Sequence, residues 1–99
     1  MFFIFINILV NKVEFDIYSL EDDKKSDILQ DKIIIPRSFD IGGKLNYIRK
    51  IMDILIKQYD VGKAYIYTEK YLDEEIIDII KIEGVIEELF SNCGVEICK

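Results

Sequence analysis

Glu83 lies inside the run KIEGVIEELF, Lys81 to Phe90, where its position demands a chemical explanation. At about 100° per residue, Ile76, Ile79, Ile80, Ile86 and Phe90 fall within one wide arc of a helix, with Glu83 near its centre. Asp78, Lys81 and Glu88 point away, as surface charges should. A carboxylate taken out of water is unstable unless it is paired or protonated. Three arrangements would satisfy it: a basic or hydroxyl partner, with Lys44, Arg49 and Tyr47 as candidates; a place at the rim of the arc with the head in water; or an acidic site shared with Glu69.

Other chemistry is limited by what the chain lacks. It has no His, which excludes Ser-His, Cys-His and His-metal chemistry built within these residues. The formal charge is −6, from nineteen acids against thirteen bases scattered among them. That balance disfavours nucleic acid, since phosphate contacts need clustered Lys and Arg; it is weakly suited to a basic protein partner. Cys93 and Cys98 do not make a disulfide framework, and a strand over the last residues would hold them too far apart to bridge. Reduced thiols in a cytoplasmic protein are expected.

The elements that must position these residues follow from periodicity. MFFIFINILV has neither the preceding bases nor the small cleavage residues of a signal peptide, and ten residues are too few to span a bilayer. Phe2 to Leu9, apolar without alternation, reads as a strand buried on both faces. A tight turn at Val10-Asn11-Lys12 leads into an alternating strand, Val13 to Leu20, and the two form a hairpin. Glu21 to Asp31 reads as polar and turn-like, Lys32 to Ile35 as a short third strand closed by Pro36, and Arg37 to Gly43 as a loop. Helical spacing predicts a helix over Lys44 to Tyr59, carrying Leu45, Ile48, Met52 and Leu55 inward. Asp60 to Gly62 breaks it, and Lys63 to Thr68 is a strand with Ala64 and Ile66 opposite Tyr65 and Tyr67. Asp73, followed by Glu74 and Glu75, suits the N-cap of a second helix running to about Phe90. Gly94 terminates that helix, and Val95 to Cys98 is a last strand.

The order β-β-β-α-β-α-β over residues 1–99 predicts one α/β domain. Its mixed five-stranded sheet has the order 3-2-1-4-5, and right-handed crossovers place both helices on one face. This order resembles the RNase H-like fold, including RuvC-type junction resolvases. Three segments sharpen the likeness to a small bacterial family within that superfamily: FFIFINILVNKVEFDIYSLEDD, AYIYTEK ending in the Glu69 region, and KIEGVIEEL. The resemblance implies one acid on the first strand and another at the end of the fourth, with more from a final helix on the opposite face. Such a cluster holds Mg²⁺ for phosphodiester cleavage. Glu69 matches the fourth-strand acid and the related pattern also carries an acid at Glu83, but Asn7 stands at the first-strand position. The final helix is not expected, because the residues run out after the fifth strand.

Both predicted helices on one face leave the other face of the sheet open, with Phe3, Phe5, Tyr65 and Tyr67 as its aromatic residues. The expected function is therefore a non-catalytic protein-binding module without a cofactor: a homodimer, or an inhibitor or adaptor of a nucleic-acid-handling system docking another protein through that face. The Ile, Lys and Asp bias suits a bacterial or phage genome rich in A and T. Two alternatives remain at this stage. One is a Mg²⁺-dependent nuclease with Glu69 and Glu83 as metal ligands and Asn7 as a third. The other is a nucleic-acid-binding module that stacks bases on Tyr65 and Tyr67, with Lys12, Lys63 and Lys70 nearby.

Overall fold

A computed structural model describes residues 1–68 and 76–98. Its elements are β1 (Phe2–Ile8), β2 (Lys12–Glu21), β3 (Lys24–Ile34), α1 (Ile41–Gln58), β4 (Val61–Thr68), α2 (Ile76–Asn92) and β5 (Glu96–Cys98). The five strands form one mixed sheet in the order β3-β2-β1-β4-β5. β2 is antiparallel to both β1 and β3, whereas β4 is parallel to β1 and to β5. The expected α/β architecture of RNase H-like type, with its strand order, is therefore the one observed.

One core sits between the helices and one face of the sheet. Ile4, Ile6 and Ile8 of β1 meet Val13, Phe15 and Ile17 of β2 and Ala64 of β4, under Ile48, Met52 and Ile56 of α1. From α2, Ile79, Ile82, Ile86, Leu89 and Phe90 close the same core. Alternation explains why β1 contributes only its even residues: successive side chains leave a strand on opposite sides. The expectation that β1 is buried on both faces is thus corrected, since Phe5 between Ile4 and Ile6 is 43% exposed.

The third strand is longer than its composition suggests. Glu21 to Asp31 is not a turn; only Asp22 and Asp23 form one, both with positive φ, at 52° and 62°. Two left-handed residues make the tight hairpin turn that matches strand twist, and Asp tolerates that conformation. β3 then pairs with β2 from Lys24 to Ile34, with a register shift between Ile17 and Tyr18. Backbone pairing holds this edge strand, so it needs no apolar alternation, and its charges guard the edge.

The helix ends have chemical causes. Asp40 caps α1, its carboxylate accepting the Gly43 N–H at 2.7 Å. The helix therefore begins at Ile41, ahead of the expected Lys44, because the cap outweighs the two glycines that suggested a loop. At the far end of α2, Gly94 at φ 78° allows the Val95 N–H to return to the Phe90 carbonyl at 2.9 Å. That is the expected glycine terminator. The expected cap at Asp73, with Glu74 and Glu75, lies outside the described residues.

Candidate binding face

Residues in register across a sheet share a face. Phe3 pairs with Tyr18 and Lys63, Phe5 with Asp16 and Tyr65, and Asn7 with Glu14 and Tyr67. All of these point away from the core, onto the face that neither α1 nor α2 covers. Phe5, Tyr65 and Tyr67 are 43%, 40% and 56% exposed. Phe3 is half-buried because its ring stacks on Tyr18, centroids 5.3 Å apart and planes within 9°. The Lys25 ammonium lies 4.8 Å from the centre of the Tyr18 ring, a cation–π contact. The four aromatic residues expected here form a stripe over β1 and β4, and Tyr18 extends it to β2.

Charged residues flank the stripe, and they pair among themselves. Lys25 reaches Asp16 at 3.0 Å and Asp27 at 3.4 Å. Lys12 lies 3.9 Å from Glu14, and Lys63 lies 3.8 Å from Glu96. The hydrogen bond that it donates to Asp16 is the main reason that the Lys25 ammonium holds its proton above the ordinary lysine range. Burial pushes the Tyr18 phenol up, reinforced by Tyr65 beside it, while Lys25 pulls it down.

Between β1, β2 and β3 the face dips into a shallow cleft of about 450 Å³, lined by Phe5, Asn7, Glu14, Asp16, Gln30 and Lys32 among others. The Asn7 amide donates to Glu14 Oε1 at 3.3 Å. Asn7 Oδ1 and Asp16 Oδ1 are buried and accept no hydrogen bond from the described residues. Asn7, a neutral residue, thus holds its amide group against the Glu14 carboxylate, with Asp16 and Asp31 lining the same cleft.

Glu83 stands apart from this cleft. Its carboxylate accepts a hydrogen bond from the Thr68 hydroxyl. Thr68 is in register with Ile8, which is fully buried, so this pair belongs to the helix side of the sheet. Glu83 therefore has a hydroxyl partner, but not one of those expected. Lys44 pairs with Asp78 at 3.7 Å, Arg49 with Glu88 at 3.7 Å, and Tyr47 packs edge-on against Phe39. The apolar arc of α2 is also rotated from the expected one: Ile82 is buried, whereas Ile80 is 58% exposed. Glu83 consequently sits toward the rim of the arc, half-buried, rather than at its centre. Asn7 and Glu83 lie on opposite faces of the sheet and are not brought together. Glu69, the third expected ligand, is outside the described residues.

Thr68 was the residue that periodicity missed, although it follows Ala64 and Ile66 at the same two-residue step and so faces the helices. Among the described residues no group of three or more Cys, Asp or Glu side chains is arranged to hold a metal ion. Cys93 and Cys98 are free thiols, and no described helix is long and apolar enough to cross a membrane.

The backbone arrangement is similar to that of solved resolvases. RuvC of Thermus thermophilus matches 98% of this chain at a TM-score of 0.84 and 8% identity, over 61% of its own length. The same protein in complex with Holliday junction substrate matches at 0.86 and 10% identity, again over 98% of this chain and 63% of that one. The Fowlpox virus resolvase with Holliday junction DNA matches at 0.66 and 13% identity, over 99% of this chain and 58% of its own. At these identities the likeness defines the fold, which is RNase H-like and RuvC-like. The chain spans about three fifths of the length of those RuvC chains. No family model and no curated protein matches the sequence.

Proposed function

We propose that this RuvC-like domain acts by binding protein through the uncovered face of its sheet, and not by cleaving nucleic acid. The observation that carries this reading is the stripe of Phe3, Phe5, Tyr18, Tyr65 and Tyr67, aromatic side chains on the sheet face that neither α1 nor α2 covers. Aromatic residues supply large contact area at small entropic cost and dominate protein interfaces. The position of Asn7 supports the same reading. A two-metal site needs negative oxygen ligands, and the first-strand position offers a neutral amide whose nitrogen is engaged with Glu14.

Binding of a nucleic acid here is disfavoured by the charges of the face itself. Lys12, Lys25 and Lys63 are each matched by a neighbouring carboxylate, which leaves Lys32 as the one lysine of the face free to attract phosphate among the described residues. The test is an assay for Mg²⁺- or Mn²⁺-dependent cleavage of branched and single-stranded DNA by the intact chain. No cleavage is expected; cleavage that disappears in Glu69→Ala would overturn the reading.

A further inference from the structure

We infer that the occupant of the uncovered face is a second copy of this chain, packed face to face. This inference rests on the binding reading above and adds the identity of the partner. Three properties of the face carry it.

The first is charge. The chain as a whole carries −6. On the strand positions of this face, Lys12, Lys25, Lys32 and Lys63 balance Glu14, Asp16, Asp27 and Glu96. These eight positions therefore balance, Asp31 at the cleft adds one negative charge, and the rest of the excess acid lies elsewhere. A strongly basic partner would find most of its attraction on other surfaces, and a strongly acidic one would find none here. A second copy meets little net repulsion at this face alone, and can match ammonium to carboxylate across a two-fold axis.

The second is an unmet group. Lys32 lines the cleft beside Glu14 and Asp16, is exposed, and has no ion-pair partner among the described residues. A lone ammonium next to carboxylates suits an isologous contact, in which the Lys32 of each copy meets the carboxylates of the other.

The third is area. Five strands at a spacing of about 4.8 Å, and the seven residues of β1 at about 3.3 Å each, give a face of roughly 550 Å². Two copies would bury roughly 1,100 Å², just above the ~1,000 Å² that a specific interface needs. An interface at this lower limit dissociates on dilution.

The test is light scattering behind a sizing column with the intact chain over a wide concentration range. The mass should approach twice 11.7 kDa at high concentration and fall toward 11.7 kDa on dilution. Phe5→Lys and Tyr65→Lys should each weaken association by about tenfold or more, with circular dichroism unchanged. Ile80→Lys, on the outer side of α2, should leave it unaltered. A mass of 11.7 kDa at every concentration overturns the inference, as does a dimer that survives both face substitutions. A hydrophobic dye separates this failure from that of the binding reading. If a monomer binds the dye and Phe5→Lys abolishes binding, the face docks a different protein. If a monomer binds no dye, both readings fall.

Discussion

Thr68, the last residue of β4, donates its hydroxyl to the carboxylate of Glu83 on α2. The bond ties the end of a sheet strand to the middle of the helix that follows it in the chain. It also explains how an acid can stand beside Ile79, Ile82 and Ile86 without leaving the fold unstable. A hydrogen bond to a charged group contributes about 1.5–3 kcal/mol.

Removing the hydroxyl should therefore be felt. Thr68→Val leaves the half-buried carboxylate without its donor and should destabilise the fold by about 1.5–3 kcal/mol. Glu83→Gln keeps an acceptor for Thr68 and should lose about 1 kcal/mol or less. Urea unfolding of both variants reads the difference. Equal, negligible losses would place Glu83 in water instead.

The rotated phase of α2 can be tested in the same way. Ile82→Ala removes a side chain that is 1% exposed and should cost about 2–5 kcal/mol. Ile80→Ala, at 58% exposure, should change stability by no more than about 0.5 kcal/mol. Thermal or urea denaturation distinguishes them, and the reverse ranking would mean the arc centred on Glu83 is the real one.

Asn7→Asp would place a fourth carboxylate in the cleft with Glu14, Asp16 and Asp31. Like charges raise a carboxyl group's pKa in the folded state. Destabilisation of about 1–2 kcal/mol is expected at neutral pH, where the new group must ionise. It should shrink as the pH falls below the folded-state pKa and the proton returns. Urea midpoints for the variant and the parent chain, measured at neutral and mildly acid pH, supply the comparison. A variant as stable as the parent at neutral pH would mean that the cleft tolerates the added charge.

The alkaline limb of stability should depend on Tyr18 and Lys25. Both groups hold their protons more tightly when folded, Tyr18 through burial and Lys25 through its bond to Asp16. The stabilisation is complete below their ordinary values near pH ~10 and is lost as pH rises through the raised ones. Unfolding midpoints should fall in that window, and Tyr18→Phe should flatten the fall. An identical alkaline fall in the variant would exclude a contribution from Tyr18.

Much of this fold is legible in the residues because its strands obey a simple rule. Val13, Phe15 and Ile17 alternate with Glu14, Asp16 and Tyr18, and the structure buries the first set. Ala64 and Ile66 likewise face the core, with Tyr65 and Tyr67 away from it. β1 carries no such mark, because Phe3 and Phe5 are as apolar as Ile4 and Ile6, and no alternation of polarity tells the side under α1 and α2 from the other. The full length of β3 is hidden in the sequence because its pairing is a property of the backbone and of the left-handed Asp22-Asp23 turn, neither of which leaves an apolar pattern. The partner of Glu83 is hidden for a related reason. Lys44 and Arg49 have the charge and reach to pair with it, but they pair with Asp78 and Glu88 on the helix surfaces. The short Thr68 hydroxyl, held by the sheet, was already in place. The contribution of Lys25 to the face depends on the register shift near Tyr18, which no periodicity predicts.

Self-association through the uncovered face is tested most directly by nuclear Overhauser contacts between copies, in an equal mixture of isotope-labelled and unlabelled chain. Contacts between the rings of Phe3, Phe5, Tyr65 and Tyr67 on one copy and the same stripe on the other are expected. Their absence at high concentration, or contacts arising instead from Ile77 and Ile80 on the outer side of α2, would contradict it.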